Sequence, residues 1–320
     1  MGFASGIMRM QTGGTSLLGK AKTHIHDTEA GTRLYRRYAK LRTSFFPYLY
    51  TAAHEGHDLG LPITRHHLLA HPHDDTAVDQ SYQYMVGPSL LCAPVVRRGQ
   101  RAQQVYLPKD QDWYDLSSHW AYDESDGRHR IGTPPVIIRG GRWVSVAAPL
   151  ETLPLFVKAG AAIPTLSPLV DTLNEATDPR VVTLRDMEAF LHWWVFPDWE
   201  ETKAQGRAWD GAKVRSGRDP HDSQRVRLDL GDPELGRTFV LQVAGNLWDR
   251  CVRVEAVGAE GGPGRALGRA PAWEDLVRVT QEGWAVDPRQ RTLWIRVDTA
   301  GADHVIVFPS PEGVPARVPR

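Results

Sequence analysis

The chain of 320 residues has little cysteine, no excess charge of either sign and no long apolar run. Its two cysteines, Cys92 and Cys251, are too few for a framework of disulfide bridges, so the fold must depend on a packed core. Lysine plus arginine and aspartate plus glutamate both number 38, which gives a formal charge of zero. Because no field of one sign is available, neither nucleic acid nor an acidic membrane surface is expected as a partner.

No apolar stretch approaches the roughly 20 residues that a transmembrane helix needs, so no membrane span is predicted. Met1 is not followed by the pattern of a secretory signal peptide, which favours the cytoplasm. An export signal would also be absent if the front of the gene were missing, so the compartment stays open.

The composition, with 41% hydrophobic and 24% charged residues, is that of a soluble globular protein of one large or two to three ordinary domains. Eleven tryptophans are many for this length. They indicate either the aromatic-rich cores of β-sheets or surfaces on which sugar rings stack, and the core is the favoured interpretation. Exposure would indicate sugar binding and burial a core role for the following residues: Trp193, Trp194, Trp199 and Trp209.

The first clear pattern is a helix over residues 33–59, where apolar side chains recur with a period near 3.6. Pro47 is expected to kink this helix or to end a first segment. Gly60 is a suitable C-cap, and Pro62 follows where a helix can no longer continue. The next run, "ITRHHLL", is interpreted as a buried strand, followed by a helix from Val78 to Met85. This alternation predicts the last units of a parallel α/β layer.

Beyond Pro88 the sequence consists of short β-rich runs separated by glycine and proline, which is typical of antiparallel sheets. Gly140 and Gly141 predict a hairpin between "VIIR" and "RWVSVAA". A second β-rich region with clear alternation begins near Val170. The predicted fold class is therefore α/β followed by all-β.

Five segments resemble family 31 glycoside hydrolases, and they occur in the family's order. They are "YAKLRTSFFPYLYTAA", "GLPITRHHLLAHPHDD" (with Arg65 matching and His66 in place of the usual proline), "YQYMVGPSLLCAPVV", "QVYLP" with "WYDL", and "LPLFVKAGAAIP". The resemblance covers about half of the chain. It implies the tail of a (β/α)8 barrel over residues 1–85, a proximal β-sandwich over 86–168 and a distal β-sandwich over 169–320.

Upstream, "FASGIMRMQTGG" is similar to the family segment that ends in R-x-H, whose histidine contacts the sugar. The resemblance aligns Arg9 with the arginine and Gln11 with the histidine, so these two residues are the candidate substrate-binding residues. Glutamine can still exchange hydrogen bonds with hydroxyl groups, although it cannot titrate near neutral pH.

A retaining glycosidase needs two carboxyl groups roughly 5 Å apart, one as nucleophile and one as acid/base. In the family both precede the R-x-H segment, so we expect them upstream of Met1 and assign no catalytic residue here. Two acidic motifs look similar to the catalytic segments. Asp186 in "LRDMEAF" is interpreted as part of an acidic turn, and Asp232 in "LGDPELG" as part of a hairpin loop.

The stretch His66–Asp75 offers a different chemistry, because imidazole and carboxylate groups can bind zinc. Alternation along a strand would place His67 and His71 on one face and His66 on the other. The spacing fits no standard zinc pattern, so no metal site and no cofactor is predicted. "HEGHD" at residues 54–58 is one residue too short for a metalloprotease motif.

The resemblance implies that the complete protein hydrolyses α-glucosides or α-xylosides with retention, and that this chain alone is not catalytic. The alternative hypothesis is a non-catalytic, carbohydrate-binding β-sandwich protein or an inert gene remnant. The expected partners are a carbohydrate and either the missing N-terminal part or a second copy of the chain, since an incomplete barrel would expose apolar faces.

Overall fold

The computed structural model describes residue 24 and residues 27–117, 120–124, 128–131, 136–198, 203–233, 236–245, 251–258, 262–278, 281–288 and 291–309. Within these ranges the protein is mostly β-structure with a few helices. Two helices lie at the start, and a large curled sheet occupies the second half.

The two initial helices are α1 (Glu29–Ser44) and α2 (Phe46–Leu59). Thr28 caps α1 by accepting a hydrogen bond from Gly31 N, and Pro47 opens α2, where its missing N–H has no cost. Gly60 ends α2 in the left-handed conformation, with φ of 73°. The predicted helix with an interruption at Pro47 and a glycine C-cap is therefore confirmed.

The segment predicted as a buried strand is mostly not a strand. Only Thr64 and Arg65 form β1 (Thr64–Arg65), and α3 (His67–Ala70) begins two residues later. The reason is local, because His66 Nδ1 accepts a hydrogen bond from Leu68 N at 3.1 Å and caps the helix.

The predicted helix from Val78 to Met85 is also wrong. Asp74 caps the earlier helix α4 (Asp75–Val78), and the later residues form strand β2 (Tyr84–Val86). Gln83 helps to hold this arrangement, because its amide bonds both the N–H and the carbonyl of Tyr106.

The six-stranded sheet has the order β1-β2-β3-β10-β5-β8. All of its ladders are antiparallel, so the parallel α/β layer expected around β1 is not found among the described residues. The strands of the first half that have not yet been given are β3 (Leu90–Cys92), β4 (Ala102–Leu107), β5 (Asp112–Asp115), β6 (Trp120–Asp123), β7 (Arg128–Ile131), β8 (Val136–Arg139), β9 (Arg142–Ala147) and β10 (Leu155–Lys158).

The predicted hairpin at Gly140 and Gly141 is wrong, because β8 and β9 belong to different sheets. β8 pairs with β5, whereas β9 pairs with β4. The strands before and after Pro108–Gln111 are β4 and β5. They pair with β9 and β8, the strands that flank the two glycines. The glycines form a crossing between sheets, where Gly141 N donates to Leu107 O at 2.8 Å.

The second half forms an eleven-stranded sheet with the order β18-β17-β21-β15-β14-β13-β11-β12-β16-β20-β19. Its strands are β11 (Ala161–Thr165), β12 (Phe190–Phe196), β13 (Ala204–Arg207), β14 (Lys213–Arg218), β15 (Val226–Gly231), β16 (Thr238–Ala244), β17 (Cys251–Val257), β18 (Arg265–Ala266), β19 (Gly283–Asp287), β20 (Thr292–Asp298) and β21 (His304–Pro309). A short helix α5 (Trp273–Arg278) packs against β19 and β20.

The large sheet curls so that its two arms face one core. Val214 and Leu228 from one arm share a hydrophobic cluster with Trp193, Leu241 and Ile295 from the other. Each of these side chains is fully buried. The alternation of buried and partly buried positions along β15 matches a strand that covers a core on one face.

The helices pack against both β-rich regions. Phe45, at the junction of α1 and α2, meets Trp194 of β12 edge-to-face with ring centres 5.3 Å apart. Leu166 N donates to Ser44 O, and Tyr48 Oη donates to Val86 O. One core thus connects the helical start of the chain with the sheets that follow.

None of the described helices has both the length and the apolar composition that crossing a membrane requires.

Candidate functional site

The predicted sugar contacts, Arg9 and Gln11, lie outside the described residues, so the structure does not test them.

Asp186 lies in a short 3-10 turn, Arg185–Met187, at the surface of the protein. Its Oδ2 accepts hydrogen bonds from Thr183 N and Thr183 Oγ1, both at 2.7 Å. These bonds from Thr183 lower the pKa of the Asp186 carboxyl. The interpretation of Asp186 as part of an acidic turn is therefore confirmed.

Asp232 lies in a buried ion network. Arg237 donates to Asp232 Oδ1 from Nη2 at 2.6 Å and from Nε at 3.0 Å, and Thr299 Oγ1 donates to Oδ2 at 2.8 Å. Arg237 Nη1 also reaches Asp210 Oδ2 at 2.6 Å. Burial alone would raise the pKa of Asp232, but the bonds from Arg237 and Thr299 outweigh it and lower the pKa. The Asp232 carboxylate therefore stabilises the fold through its bonds to Arg237 and Thr299.

The connection around Asp232 is not the predicted hairpin loop. β15 pairs with β14 and β21, whereas β16 pairs with β12 and β20, so the two flanking strands do not pair with each other. The chain instead passes from one arm of the curled sheet to the other. The Asp232–Arg237 ion pair joins the two ends of this connection.

The histidine stretch is partly as expected. His67 and His71 do lie near each other, with ring centres 5.7 Å apart, although the spacing comes from a helical turn and not from a strand. His67 is fully buried, and burial together with the nearby His66 lowers its pKa to about 4. Burial, with Lys158 and His67, likewise lowers the pKa of His71 to about 4.

No group of three or more histidine, cysteine or acidic side chains is placed to hold a metal ion within the described ranges. Asp74, the acidic residue nearest to the two histidines in sequence, accepts hydrogen bonds from Ala77 N, Lys109 N and Tyr106 Oη.

Of the four tryptophans singled out in the sequence, Trp193 and Trp194 are buried in the core, and Trp199 lies outside the described residues. Trp209 is 49% exposed and lies in the turn after β13. Among the three of these tryptophans that the structure describes, only Trp209 is exposed as a sugar-binding surface requires.

Trp209 forms an exposed aromatic surface with α2. Its indole stacks on the imidazole of His54, with centres 5.7 Å apart and planes 20° apart. Tyr50, which is 40% exposed, meets both rings edge-to-face, and Phe46 stacks on Tyr50 at 5.5 Å. We call Tyr50, His54 and Trp209 the aromatic surface. A flat ring that is held rigidly by its neighbours can receive the apolar face of a pyranose.

The sequence contains one signal for this surface. Phe46, Tyr50 and His54 recur every four residues, which places them in one row on a helix. The addition of Trp209 to this row depends on a tertiary contact from about 150 positions further along the chain, and local pattern does not reveal it.

A second feature is a polar cleft on the outer face of β13–β15. Gln205, Arg215 and Asp229 lie side by side on three neighbouring strands, in register. Arg227 pairs with Asp229 at 2.6 Å. The cleft offers donors and acceptors in a row and no aromatic ring among its lining residues.

Residues 60–163 match the C-terminal domain of glycosyl hydrolase family 31. The chain is 32% identical over 149 residues to an α-xylosidase of Saccharolobus solfataricus, a match that spans 47% of this chain and 18% of that protein. It is 30% identical over 131 residues to α-glucosidase 2 of Bacillus thermoamyloliquefaciens, spanning 41% of this chain and 14% of that protein.

Solved structures show the same fold. A family 31 dextranase of Flavobacterium johnsoniae in complex with glucose superposes with a TM-score of 0.66 at 24% identity, over 88% of this chain and 33% of that one. An α-1,4-glucan lyase of Gracilariopsis lemaneiformis superposes with a TM-score of 0.67 at 20% identity, over 90% of this chain and 29% of that one. The chain thus spans a third or less of the proteins that it resembles.

Proposed function

We propose that the chain is the C-terminal part of a retaining α-glycosidase of the α-glucosidase or α-xylosidase type, because residues 60–163 match the C-terminal domain of glycosyl hydrolase family 31. The observation that carries the proposal is the coincidence of this domain with similarity to an α-xylosidase and an α-glucosidase. The chain covers only 18% and 14% of those two proteins, which supports a longer complete enzyme.

In this proposal residues 1–85 are the tail of a (β/α)8 barrel, 86–168 a proximal β-sandwich and 169–320 a distal β-sandwich. The packing of α1 and α2 on the following sheets supports a scaffold role, since Phe45 and Tyr48 bury their rings among strands of the later regions. The catalytic carboxylates come from upstream polypeptide, and Arg9 and Gln11 border the sugar subsite.

The arrangement of carboxylates supports the scaffold role. Asp186 and Asp232 are each engaged by hydrogen-bond donors of the fold. A nucleophile of a retaining glycosidase must be free to attack the anomeric carbon, and its partner carboxyl must be able to give up and take back a proton.

A turnover assay tests the proposal. The chain alone is expected to show no hydrolysis of p-nitrophenyl α-D-glucoside or α-D-xyloside, whereas the chain joined to its upstream coding sequence should hydrolyse one of them. NMR of the first product should show retained anomeric configuration. Turnover by the isolated chain, or an upstream sequence that encodes an unrelated protein, would contradict the proposal.

Exposed apolar side chains near the start of the chain support a contact with upstream polypeptide or with a second copy. Leu59, Leu68 and Tyr82 are each more than half exposed. We therefore expect association at micromolar concentration when the chain is produced alone. A monodisperse monomer in light scattering would contradict this expectation.

The second candidate function is carbohydrate binding without catalysis, and the aromatic surface is the observation that favours it. Trp209 is half exposed to solvent, and His54 stacks on one side of its ring. In a carbohydrate-binding protein the chain alone would bind an α-glucan saturably. An inert gene remnant would show neither binding nor turnover.

A further inference from the structure

Gln83 fixes the tautomer of the buried His67. Gln83 Oε1 accepts a hydrogen bond from Tyr106 N at 2.9 Å, and Gln83 Nε2 donates to Tyr106 O at 2.7 Å, which defines the orientation of the amide. The same Nε2 lies 3.1 Å from His67 Nε2. Since an amide NH₂ can only donate, His67 Nε2 accepts, and the proton of the neutral ring lies on Nδ1.

His67 Nδ1–H is therefore a buried donor that has no hydrogen-bond partner among the described residues. His71 Nε2 is buried and unpartnered in the same way. The two rings are 5.7 Å apart, and His67 itself is fully buried. A buried donor without an acceptor is costly, and His71 Nε2 is a second donor in the tautomer that carries its proton on that nitrogen, so the pair indicates a ligand that accepts hydrogen bonds.

The charged groups around the two rings are mostly cations. Lys158 lies opposite Trp113 in the sheet, and the Trp113 ring is 6.1 Å from His71. Lys158 is partly buried, and no carboxylate pairs with it within the part of the chain that the structure describes. Burial and the charge of Arg65 lower the pKa of Lys158 to about 8.

The nearby acceptors are already in use. Arg65 forms an ion pair with the Glu55 carboxylate, and Asp74 accepts hydrogen bonds from Lys109 N and Tyr106 Oη. The place is thus rich in donors and poor in free acceptors, which is the opposite of what a metal ion requires.

We propose that His67, His71 and Lys158, which we call the donor cluster, bind a small anion through His67 Nδ1–H, His71 Nε2–H and the Lys158 ammonium. The ligand is an acceptor without donors of its own, such as chloride, an inorganic oxyanion or a carboxylate. Two sources offer this chemistry, namely a free anion or an acidic side chain of another polypeptide segment, and the experiment separates them.

Among the described residues, the charged groups that act on the two imidazoles are His66, Asp74 and Lys158, and Arg65 acts in turn on Lys158. A bound anion adds negative charge beside both imidazoles, so it must raise the pKa values of His67 and His71 from about 4. The same reasoning predicts no effect on a buried histidine that has no cation nearby.

His192 is the matched control. It is also buried and has an unpartnered Nε2, and burial lowers its pKa to about 3, but within the described part of the chain its neighbours include Thr165, Trp194 and Trp294, and no charged group contributes to its pKa. We would record imidazole ¹H–¹⁵N spectra of the whole chain at constant ionic strength while methanesulfonate is replaced by chloride, phosphate or acetate. Saturable shifts of His67 and His71, with His192 unchanged, are expected.

A second arm uses variants and thermal melts. Lys158→Met should abolish the saturable rise in melting temperature with the anion that binds, and Lys213→Met on the exposed face of β14 should retain it. Response to acetate but to neither inorganic anion would assign the cluster to a carboxylate side chain. Equal shifts of all three histidines, or no saturable shift with any probe, would overturn the proposal, because water then suffices as the acceptor. The wild-type spectra decide this even if Lys158→Met fails to fold.

Discussion

A β-carbon on Gly206 would lie 1.7 Å from Ala162 O, so the backbone of β13 approaches that of β11 more closely than any residue with a side chain would allow. The approach occurs where the two strands run parallel, at the Ala161–Gln205 pair. The obstructing atoms are a backbone carbonyl and cannot rotate away. Gly206 thus permits the large sheet to continue from β11 into β13.

Replacement of Gly206 by alanine should force these strands apart. We expect Gly206→Ala to lower the free energy of unfolding by about 3 kcal/mol, the upper range for overpacking in a well-packed interior. Urea denaturation followed by circular dichroism measures this. Gly268→Ala is the control, because a β-carbon added there would meet nothing within 4 Å, and it should change stability by less than about 0.5 kcal/mol. Equal effects of the two variants would contradict the prediction.

The aromatic surface gives a second prediction. If it binds an α-glucan, Trp209→Ala should weaken binding of maltotriose about tenfold, because it removes the exposed ring on which a sugar would stack. Isothermal titration calorimetry measures the affinity. Trp143→Ala is the matched control, since Trp143 is 50% exposed but lies on β9 beside Tyr106.

Unchanged binding in Trp209→Ala, or an equal loss in both tryptophan variants, would show that the aromatic surface is not the sugar site. In that case the stacking of Trp209 on His54 would serve only to join the turn after β13 to helix α2.

The sequence predicts the helices well because their signals are local. The 3.6-residue period, Pro47 and Gly60 together define α1 and α2, and each acts within a few residues of itself. The short segment after Gly60 was harder to predict. His66 and Asp74 cap one-turn helices there, and a single side-chain hydrogen bond decides between helix and strand.

Strand partners could not be predicted from local pattern. Gly140 and Gly141 have the composition of a tight hairpin turn, yet their flanking strands pair with β4 and β5, which approach from earlier in the chain. The prediction of a hairpin around Asp232 fails for the same reason. The residue does lie in a loop, but the flanking strands β15 and β16 pair with other strands and not with each other. The register and the partner of a strand depend on which of its faces is buried in the folded protein. Strands of similar pattern, such as β8 and β9, can therefore each have more than one suitable partner.

The buried histidines predict a loss of stability in acid. Burial lowers the pKa of His192 to about 3 from an ordinary value of 6.5. The unfolded chain therefore binds more protons than the folded chain between these values. Stability is complete above pH 6.5 and decreases as the pH falls through this window. For His192 alone the loss between pH 6.5 and pH 5 should be about 2 kcal/mol.

Denaturant titrations from pH 5 to pH 7 test this on the variant His192→Gln. Averaged over this range, its slope of unfolding free energy against pH should be smaller than that of the wild type by about 1 kcal/mol per pH unit, because the unfolded imidazole is only partly protonated near pH 7. His73→Gln removes an exposed imidazole and should leave the slope unchanged. An unchanged slope in His192→Gln would show that this side chain is already protonated, or accessible to protons, in the folded protein.

Asp232 is predicted to stabilise the folded protein. Its carboxylate side chain is fully inaccessible and is bound by Arg237 and Thr299, so Asp232→Asn would leave the Arg237 charge only partly compensated by Asp210. Removal of one partner from a buried ion pair costs about 3 kcal/mol or more, and we expect a loss of that size in chemical denaturation. Asp229→Asn should cost less than about 1 kcal/mol, because its pair with Arg227 is half exposed.

The same two variants separate a structural from a catalytic role for Asp232 in the longer enzyme that we propose. Below its unfolding temperature, Asp232→Asn should keep the hydrolysis rate of p-nitrophenyl α-D-glucoside within about twofold of the wild type. A general acid or nucleophile would instead lose at least about a hundredfold. A large loss of turnover with unchanged stability would place a catalytic carboxylate within this chain and would overturn its assignment as scaffold.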